Sequence, residues 1–222
     1  MTPRDRARVE ATIEELVRAG VATGPDGEVH DLFPVAIPQA EGRALERVVD
    51  EARATNTIET GLGYGMSTLY LCAGLLAGGR PAVRHVAIDP YQHGRFADLG
   101  LAALARAGVE DMVEHLARPS EIVLPSLLEE ERRFDVAFVD GNHRFDGVFV
   151  DLFFLGHLVR PGGRVFLDDY QLPGVRRAAA FFAANLAWKV DEVSPPDDLH
   201  RWAVFTTPTE PDERPYDFFV DF

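Results

Sequence analysis

The feature that most limits how this chain can fold is a regular alternation of short β-rich runs with longer stretches of helical character. A strand, a crossover helix and a second strand almost always form a right-handed unit, so the alternation predicts a parallel sheet with helices on both faces. The predicted strands of this region are 57–60, 86–89, 112–116, 134–140 and 164–168. The predicted helices are 66–76, 96–107, 120–129, 145–159 and 175–186.

The last part of the chain departs from this alternation. Two β-rich runs, 188–193 and 201–206, are joined by a short linker that contains Pro195 and Pro196. The linker has no room for a crossover helix, so this pair is predicted to be antiparallel. We therefore predict an α/β protein with a Rossmann-like, doubly wound and mostly parallel seven-stranded sheet that ends in a C-terminal antiparallel hairpin.

A single domain over residues 1–222 is expected, because a chain of this length with 46% hydrophobic residues can bury one core. An N-terminal helix and an aperiodic segment, acting as a lid or substrate surface, are predicted within 1–40. Residues 41–207 carry the sheet, and 208–222 form an acidic, aromatic tail. That tail is either a loosely attached end or a segment docked on this chain or on a second copy.

Composition argues against several classes of function. The formal net charge of −14 opposes nucleic-acid binding, which depends on Lys and Arg replacing counterions. No apolar run approaches the roughly 18–20 residues of a membrane helix, and the first residues lack the apolar core of a secretory signal. The single cysteine, Cys72, excludes a disulfide framework. A cytoplasmic protein with neither nucleic acid nor membrane as a partner is expected.

The first strand of the alternating pattern ends in a glycine-rich turn with the sequence ETGLGYG at 59–65. Its glycines allow positive φ angles and a close backbone approach to a ligand just before a helix begins. Their G-x-G-x-G spacing differs from the G-x-G-x-x-G of dinucleotide sites, and Glu59 would repel a pyrophosphate. The acid suits a ligand with an ammonium and a sulfonium group, although such a turn can also be a purely structural connection.

Three further motifs, together with this turn, resemble those of class I S-adenosylmethionine-dependent methyltransferases. They are Ile88-Asp89-Pro90, FDVAFVDGNH at 134–143 and PGGRVFLDDY at 161–170. The resemblance covers about residues 38–170. Within that superfamily the chain looks most like metal-dependent small-molecule O-methyltransferases, which include catechol-type enzymes and the sugar O-methyltransferases of macrolide and aminocoumarin biosynthesis.

S-adenosylmethionine is therefore the expected cofactor. The turn is predicted to hold its amino-acid end, and Asp89, after the second strand, to accept hydrogen bonds from its ribose hydroxyls. Ser120 lies where the chain should pass the adenine. The full predicted cofactor-binding set is Glu59, Gly61, Gly63, Gly65, Ser67, Asp89, Ser120 and Asp140.

Three carboxylates are predicted to converge at the carboxyl edge of the sheet, because two neighbouring strands end at Asp140 and at the pair Asp168-Asp169. Such crowding is costly unless a cation or proton relieves it, and oxygen ligands suit Mg²⁺ or another divalent cation. The resemblance implies the same metal set: Asp140, Asp168 and Asp169. The alternative is that these aspartates cap the helices that follow them.

Methyl transfer needs a deprotonated acceptor oxygen aligned with the sulfonium methyl group. His143 and Asp140 are the predicted catalytic residues, with His143 as the base; a local hydrogen bond or metal ligation are its alternatives. Catechol-type enzymes usually place a lysine in this loop, so a sugar or other vicinal diol is favoured as the acceptor. The competing functions are a nucleotide-dependent oxidoreductase and a non-catalytic S-adenosylmethionine-binding module. A homodimer through 32–37 also stays open.

Overall fold

The computed structural model describes residues 3–25 and 27–222, with side chains described from Arg6 onwards. The chain divides into two compact units, one up to Pro119 and the other from Ser120 to Phe222. Within the described residues, no helix combines the length and the apolar character needed to cross a bilayer.

The first unit alternates helices with a small hairpin and three strands of the main sheet. The hairpin over residues 21–31 was not predicted, because its two strands are only three residues long and mostly exposed. The elements are α1 (Pro3–Ala19), β1 (Val21–Thr23), β2 (Val29–Asp31), α2 (Gln39–Glu51), β3 (Asn56–Thr60), α3 (Met66–Ala77), β4 (Arg84–Ile88), α4 (Leu99–Ala107) and β5 (Val113–Leu116).

The second unit continues the alternation and ends with an antiparallel pair. Its core includes three fully buried aromatic side chains, Phe138, Phe166 and Phe205, one from each of three strands. The elements are α5 (Ser120–Glu129), β6 (Phe134–Val139), α6 (Phe145–Leu158), β7 (Val159–Leu167), α7 (Pro173–Asn185), β8 (Lys189–Val193) and β9 (Ala203–Thr206).

The main sheet has seven strands in the order β5-β4-β3-β6-β7-β9-β8, so the predicted fold class is confirmed. In the first unit β3 and β5 each pair with β4 in parallel, and in the second unit β6 pairs with β7 in parallel. The last strand, β9, lies between β7 and β8 and is antiparallel to both. The terminal pair is therefore a hairpin whose second strand, not its first, joins the parallel part.

Strand registers place the site residues at strand ends. Thr60 is paired with Ile88 and Ile88 with Leu116, so β3, β4 and β5 end at the same level. Val139 is likewise paired with Leu167 at the ends of β6 and β7. Polar residues that follow these strands are thus gathered at the carboxyl edge within each unit, which is where open α/β sheets bind their ligands.

The acidic tail is docked on α7, which decides between the two alternatives left open by the sequence. The Asn185 side chain donates to the Val220 carbonyl at 2.9 Å and accepts from the Val220 N–H at 2.7 Å. The ring of Phe222 packs against Phe181, and the Arg177 guanidinium lies 4.7 Å from its centroid. An amide that pairs with both backbone groups of one residue holds the tail much as a neighbouring strand would.

Candidate functional site

The glycine turn after β3 has the backbone conformation that its spacing predicts. Gly61, Gly63 and Gly65 have φ angles of 95°, 50° and 85°, all in the left-handed region that side chains disfavour. A Cβ atom on Gly65 would lie 3.0 Å from the carbonyl oxygen of Gly100, so this residue is also confined by packing. Gly63, by contrast, has only Val35 Cγ1 within 4 Å of its Cβ position, at 3.8 Å, so a Cβ atom there would make one ordinary van der Waals contact.

Asp89, directly after β4, holds this turn in place. Its Oδ2 atom accepts hydrogen bonds from the backbone N–H of Leu62 at 3.2 Å and of Gly63 at 2.8 Å. Its Oδ1 atom accepts one from the N–H of Tyr91 at 2.7 Å, and Gln92 donates to both Asp89 and the Gly63 carbonyl. The two oxygens of a carboxylate together offer about four acceptor sites, so Oδ1 retains capacity for a ligand hydroxyl.

Glu59 lies within the protein under the turn and is completely buried. Its Oε2 atom accepts a hydrogen bond from the Ser67 hydroxyl at 2.8 Å, and its Oε1 atom accepts from Thr68 and, at 3.1 Å, from His85 Nε2. Two predicted cofactor residues, Glu59 and Ser67, are therefore bonded to each other. The sequence analysis did not single out His85 and missed this cluster.

The second unit brings together the acidic residues that follow β6 and β7. His143 bridges them: its Nδ1 atom is hydrogen-bonded to Asp169 Oδ2, and its Nε2 atom lies 3.4 Å from Asp140 Oδ1. Ligand atoms of these three residues all lie within 4.8 Å of one another, a spacing that suits a metal ion. Asp168 adjoins this group, and its Oδ1 atom accepts the Asp169 backbone N–H at 2.5 Å.

The charges of this cluster are strongly coupled. Burial, and then the neighbouring charge of Asp168, raise the pKa of Asp140 well above its usual value, although His143 opposes the shift. Hydrogen bonds to Asp140 and Asp169 raise the pKa of His143 to about 10. At Asp169, burial acts to raise the pKa, but the interaction with His143 outweighs burial, so the pKa of Asp169 is lowered. The raised pKa favours the imidazolium form of His143, and in that form the ring carries a proton already and cannot act as a base.

The helix-cap alternative for these aspartates is wrong. The residue that precedes α6 is Arg144 and the one that precedes α7 is Leu172, and neither helix start has a side-chain cap hydrogen bond. Among the described residues, the aspartates interact with one another and with His143 instead.

Two further positions complete the description of the predicted residues. Ser120 is the first residue of α5 and is half-buried. Gln171, which the sequence did not single out, donates to Asp169 through its amide nitrogen and accepts the Arg201 N–H at 2.7 Å. Its amide thus holds the Asp169 carboxylate in orientation. The only sequence signal for this role is that Gln171 closely follows the acidic pair Asp168-Asp169.

A family model described as a methyltransferase domain matches residues 58–170, just over half of the 222 residues. This stretch contains the glycine turn, Asp89 and all members of the acidic cluster. The match therefore covers both groups of residues described above.

Individual proteins are also similar to this chain. It is 33% identical over 135 residues to tricin synthase 2 from Oryza sativa subsp. japonica, covering 60% of this chain and 44% of that protein. Against caffeoyl-CoA O-methyltransferase 1 from Eucalyptus globulus, the identity is 27% over 159 residues, with 71% and 55% covered. The chain thus spans about half the length of these curated relatives. The crystal structure of an O-methyltransferase from Bacillus cereus in complex with SAH has a TM-score of 0.71 at 20% identity, with 89% of this chain and 90% of that chain covered.

Proposed function

Because the chain belongs to the methyltransferase-domain family, we propose that it transfers a methyl group from S-adenosylmethionine to an oxygen atom of a small molecule. The observation that carries this proposal is the turn of three left-handed glycines held by Asp89. The loose packing beside Gly63, where only Val35 Cγ1 comes within 4 Å of the Cβ position, suits a bound ligand. The two curated relatives described above are named as a tricin synthase and an O-methyltransferase.

The proposed cofactor contacts follow from this turn. The backbone of Gly61, Gly63 and Gly65 holds the amino-acid end of S-adenosylmethionine, and Oδ1 of Asp89 accepts hydrogen bonds from the ribose hydroxyls. The buried charge of Glu59 attracts the cationic cofactor through space. Ser67 acts by holding Glu59, while direct contacts from Ser120 and Asp140 complete the proposed set.

The acidic cluster is proposed to hold a divalent cation, Mg²⁺ or a similar ion, through Asp140, Asp168 and Asp169. The residues fit such a group, because crowded carboxylates whose charge is costly are relieved by a cation, and oxygen donors suit a hard metal ion. When bound, such an ion acidifies and orients a coordinated hydroxyl group. The position of His143 among these carboxylates is also compatible with metal ligation.

His143 is proposed to accept the proton of the acceptor hydroxyl. In the metal-free protein its ring is protonated because Asp140 and Asp169 stabilise the positive charge. Once these carboxylates are neutralised by a cation, the ring loses that stabilisation and can become the neutral base that the reaction needs. Asp140 then holds and orients the ring from its position three residues earlier in the chain.

The acceptor is proposed to be a small molecule, since a net charge of −14 opposes a nucleic-acid substrate. Adjacent hydroxyl groups are proposed because a divalent cation could hold both oxygens.

A homodimer is also proposed, because Phe33 and Val35 expose apolar surface that a second copy would cover. Analytical ultracentrifugation of wild type and a Phe33→Ser variant tests this assembly; a wild-type monomer at micromolar concentration contradicts it.

The experiment that tests the activity combines binding and turnover. Calorimetric titration with S-adenosylmethionine, and separately with a nicotinamide dinucleotide, is expected to show binding of the first ligand alone. Incubation with vicinal diols, catechols among them, and Mg²⁺ is expected to yield S-adenosylhomocysteine and an O-methylated product by mass spectrometry. Binding of the dinucleotide but not of S-adenosylmethionine contradicts the proposal.

A further inference from the structure

A buried chain of hydrogen bonds connects β4 to the start of α3 through Glu59. Thr57 Oγ lies 2.8 Å from His85 Nδ1, and His85 Nε2 lies 3.1 Å from Glu59. Glu59 in turn accepts from the hydroxyls of Ser67 and Thr68. Because a carboxylate only accepts hydrogen bonds, the ring proton of His85 resides on Nε2, and in the neutral ring Nδ1 accepts from Thr57.

This network, rather than a conventional helix cap, connects the start of α3 to β3. The residue before α3 is Gly65, which has no capping side chain, and the first turn of α3 contains no acidic residue. Glu59 reaches the second and third residues of the helix from the preceding strand, where the positive end of the helix dipole favours a carboxylate. The glycine turn lies between the two points that Glu59 connects, β3 and α3, so its shape depends on this connection.

Removing one donor from a buried carboxylate is costly. Glu59 and Thr68 have no exposed surface and His85 is 1% exposed, so water cannot replace a lost partner. Without the His85 donor, one acceptor position of the carboxylate is left unsatisfied, and the carboxylate must turn, which alters its bonds to Ser67 and Thr68. The first turn of α3 would then move relative to β3, and the backbone groups of the glycine turn would move with it.

We propose that His85 is a positioning residue for the cofactor site: through Glu59 it fixes the start of α3 and hence the ligand-binding shape of the turn over 61–65. The proposal rests on the proposed function only in taking S-adenosylmethionine as the ligand. His85 lies beneath the turn and reaches the cofactor through Glu59. The network accounts for a buried histidine and a buried glutamate that the transfer reaction itself does not use.

The test compares two substitutions of His85 that differ in hydrogen bonding. In His85→Gln the side-chain amide can still donate to Glu59 and accept from Thr57, whereas His85→Leu fills similar space without either bond. His85→Leu is expected to weaken S-adenosylmethionine binding by about tenfold or more, and His85→Gln by about threefold or less. Calorimetry measures both dissociation constants.

A second arm separates positioning from general loss of stability. Val109→Ala creates a cavity at a fully buried side chain of the same unit outside the network, and it is expected to lower Tm without changing cofactor affinity.

Amide hydrogen exchange gives a readout that needs no cofactor. In the ligand-free protein, His85→Leu is expected to speed exchange over 63–69 selectively, whereas His85→Gln and Val109→Ala leave that segment at the wild-type rate. Equal exchange and equal affinity in wild type and His85→Leu, or equal losses in His85→Leu and His85→Gln, overturn the inference. If wild type binds no S-adenosylmethionine yet the exchange pattern is as expected, the proposed function fails while the positioning of the turn by His85 stands.

Discussion

The glycine turn of the first unit and the acidic cluster of the second differ in how their carboxylates are stabilised. Around the turn, Glu59 and Asp89 are buried carboxylates whose oxygens accept hydrogen bonds from neighbouring hydroxyl, imidazole, amide and backbone donors. In the cluster, carboxylates crowd one another and His143 interacts with two of them, Asp140 and Asp169. The first region is held by hydrogen-bond donors of the protein, whereas in the second we propose that a metal cation takes over part of the charge compensation.

The comparison makes distinct predictions for the two regions. Changes at the turn should alter cofactor affinity with little dependence on metal ions. Changes in the cluster should alter metal binding and turnover while cofactor affinity stays nearly constant. A variant that alters both cofactor affinity and metal binding would weaken this distinction between the two regions.

The largest effect is expected for Gly63→Val. Gly63 has a φ of 50° and only Val35 Cγ1 within 4 Å of its Cβ position, so valine would strain the backbone and occupy the volume proposed for the cofactor. Affinity for S-adenosylmethionine should fall by about a hundredfold or more by calorimetry. Gly79→Val is the control for backbone strain, because Gly79 has a similar φ of 58°, no atom within 4 Å of its Cβ position and a place in the chain away from the turn. Equal losses in both variants would show that strain, not occlusion, is responsible.

Asp168→Asn should act on metal binding and turnover. Asparagine keeps the size of the side chain but removes one charge from the crowded group, so affinity for Mg²⁺ and the rate of methyl transfer should each fall by about tenfold or more. Cofactor affinity should stay within about twofold. Turnover of wild type and variant is measured in EDTA and again with added Mg²⁺. Full wild-type activity after metal analysis confirms that no ion remains would refute the metal proposal.

Asp89→Ala should act on cofactor binding alone, by an amount comparable to the effect of Asp168→Asn on metal binding. Asp89→Ala removes both the bonds to the turn and the acceptor for the ribose, which should cost about 1.5–3 kcal/mol of binding free energy. Asp89→Asn retains one acceptor oxygen and should lose less. Dissociation constants for S-adenosylmethionine are compared with and without Mg²⁺. An affinity within about twofold of wild type for Asp89→Ala would remove Asp89 from the cofactor site.

The smallest effect concerns the pH dependence of stability in EDTA. The pKa of His143 is raised in the folded protein to about 10 from its usual 6.5. The contribution of His143 to the free energy of unfolding is therefore fully present below pH 6.5 and is lost as the pH rises through about 10. Wild type should therefore exceed His143→Gln in unfolding free energy at pH 6, with the difference shrinking towards pH 10. Denaturant unfolding at several pH values measures it, with His157→Gln as the control on an exposed ring of α6. A difference that grows with pH contradicts the imidazolium assignment.

Much of the site could be predicted because its signals are local. The glycines at 61, 63 and 65 permit the positive φ angles that they adopt, and residues directly after apolar strands, such as Asp89 and Asp140, must lie at a sheet edge. Partners within the site could not be predicted in the same way. The neighbours of Glu59 come from another strand and from the next helix, and nothing in the local pattern of His85 distinguishes it from a packed core residue.

The amino-acid sequence by itself determined the alternation of strands and helices, the parallel sheet and the turn, because these follow from hydrophobic periodicity and from the steric freedom of glycine. Tertiary structure alone decided that β9 lies between β7 and β8, that the tail docks through Asn185, and that His143 joins Asp140 to Asp169. These features depend on pairing between distant segments, where the free energy comes from buried contacts and charge compensation that no single stretch of sequence contains. A carboxylate at a strand end is visible in the sequence; whether a hydroxyl, an imidazolium or a metal ion satisfies it is set only when the chain has folded.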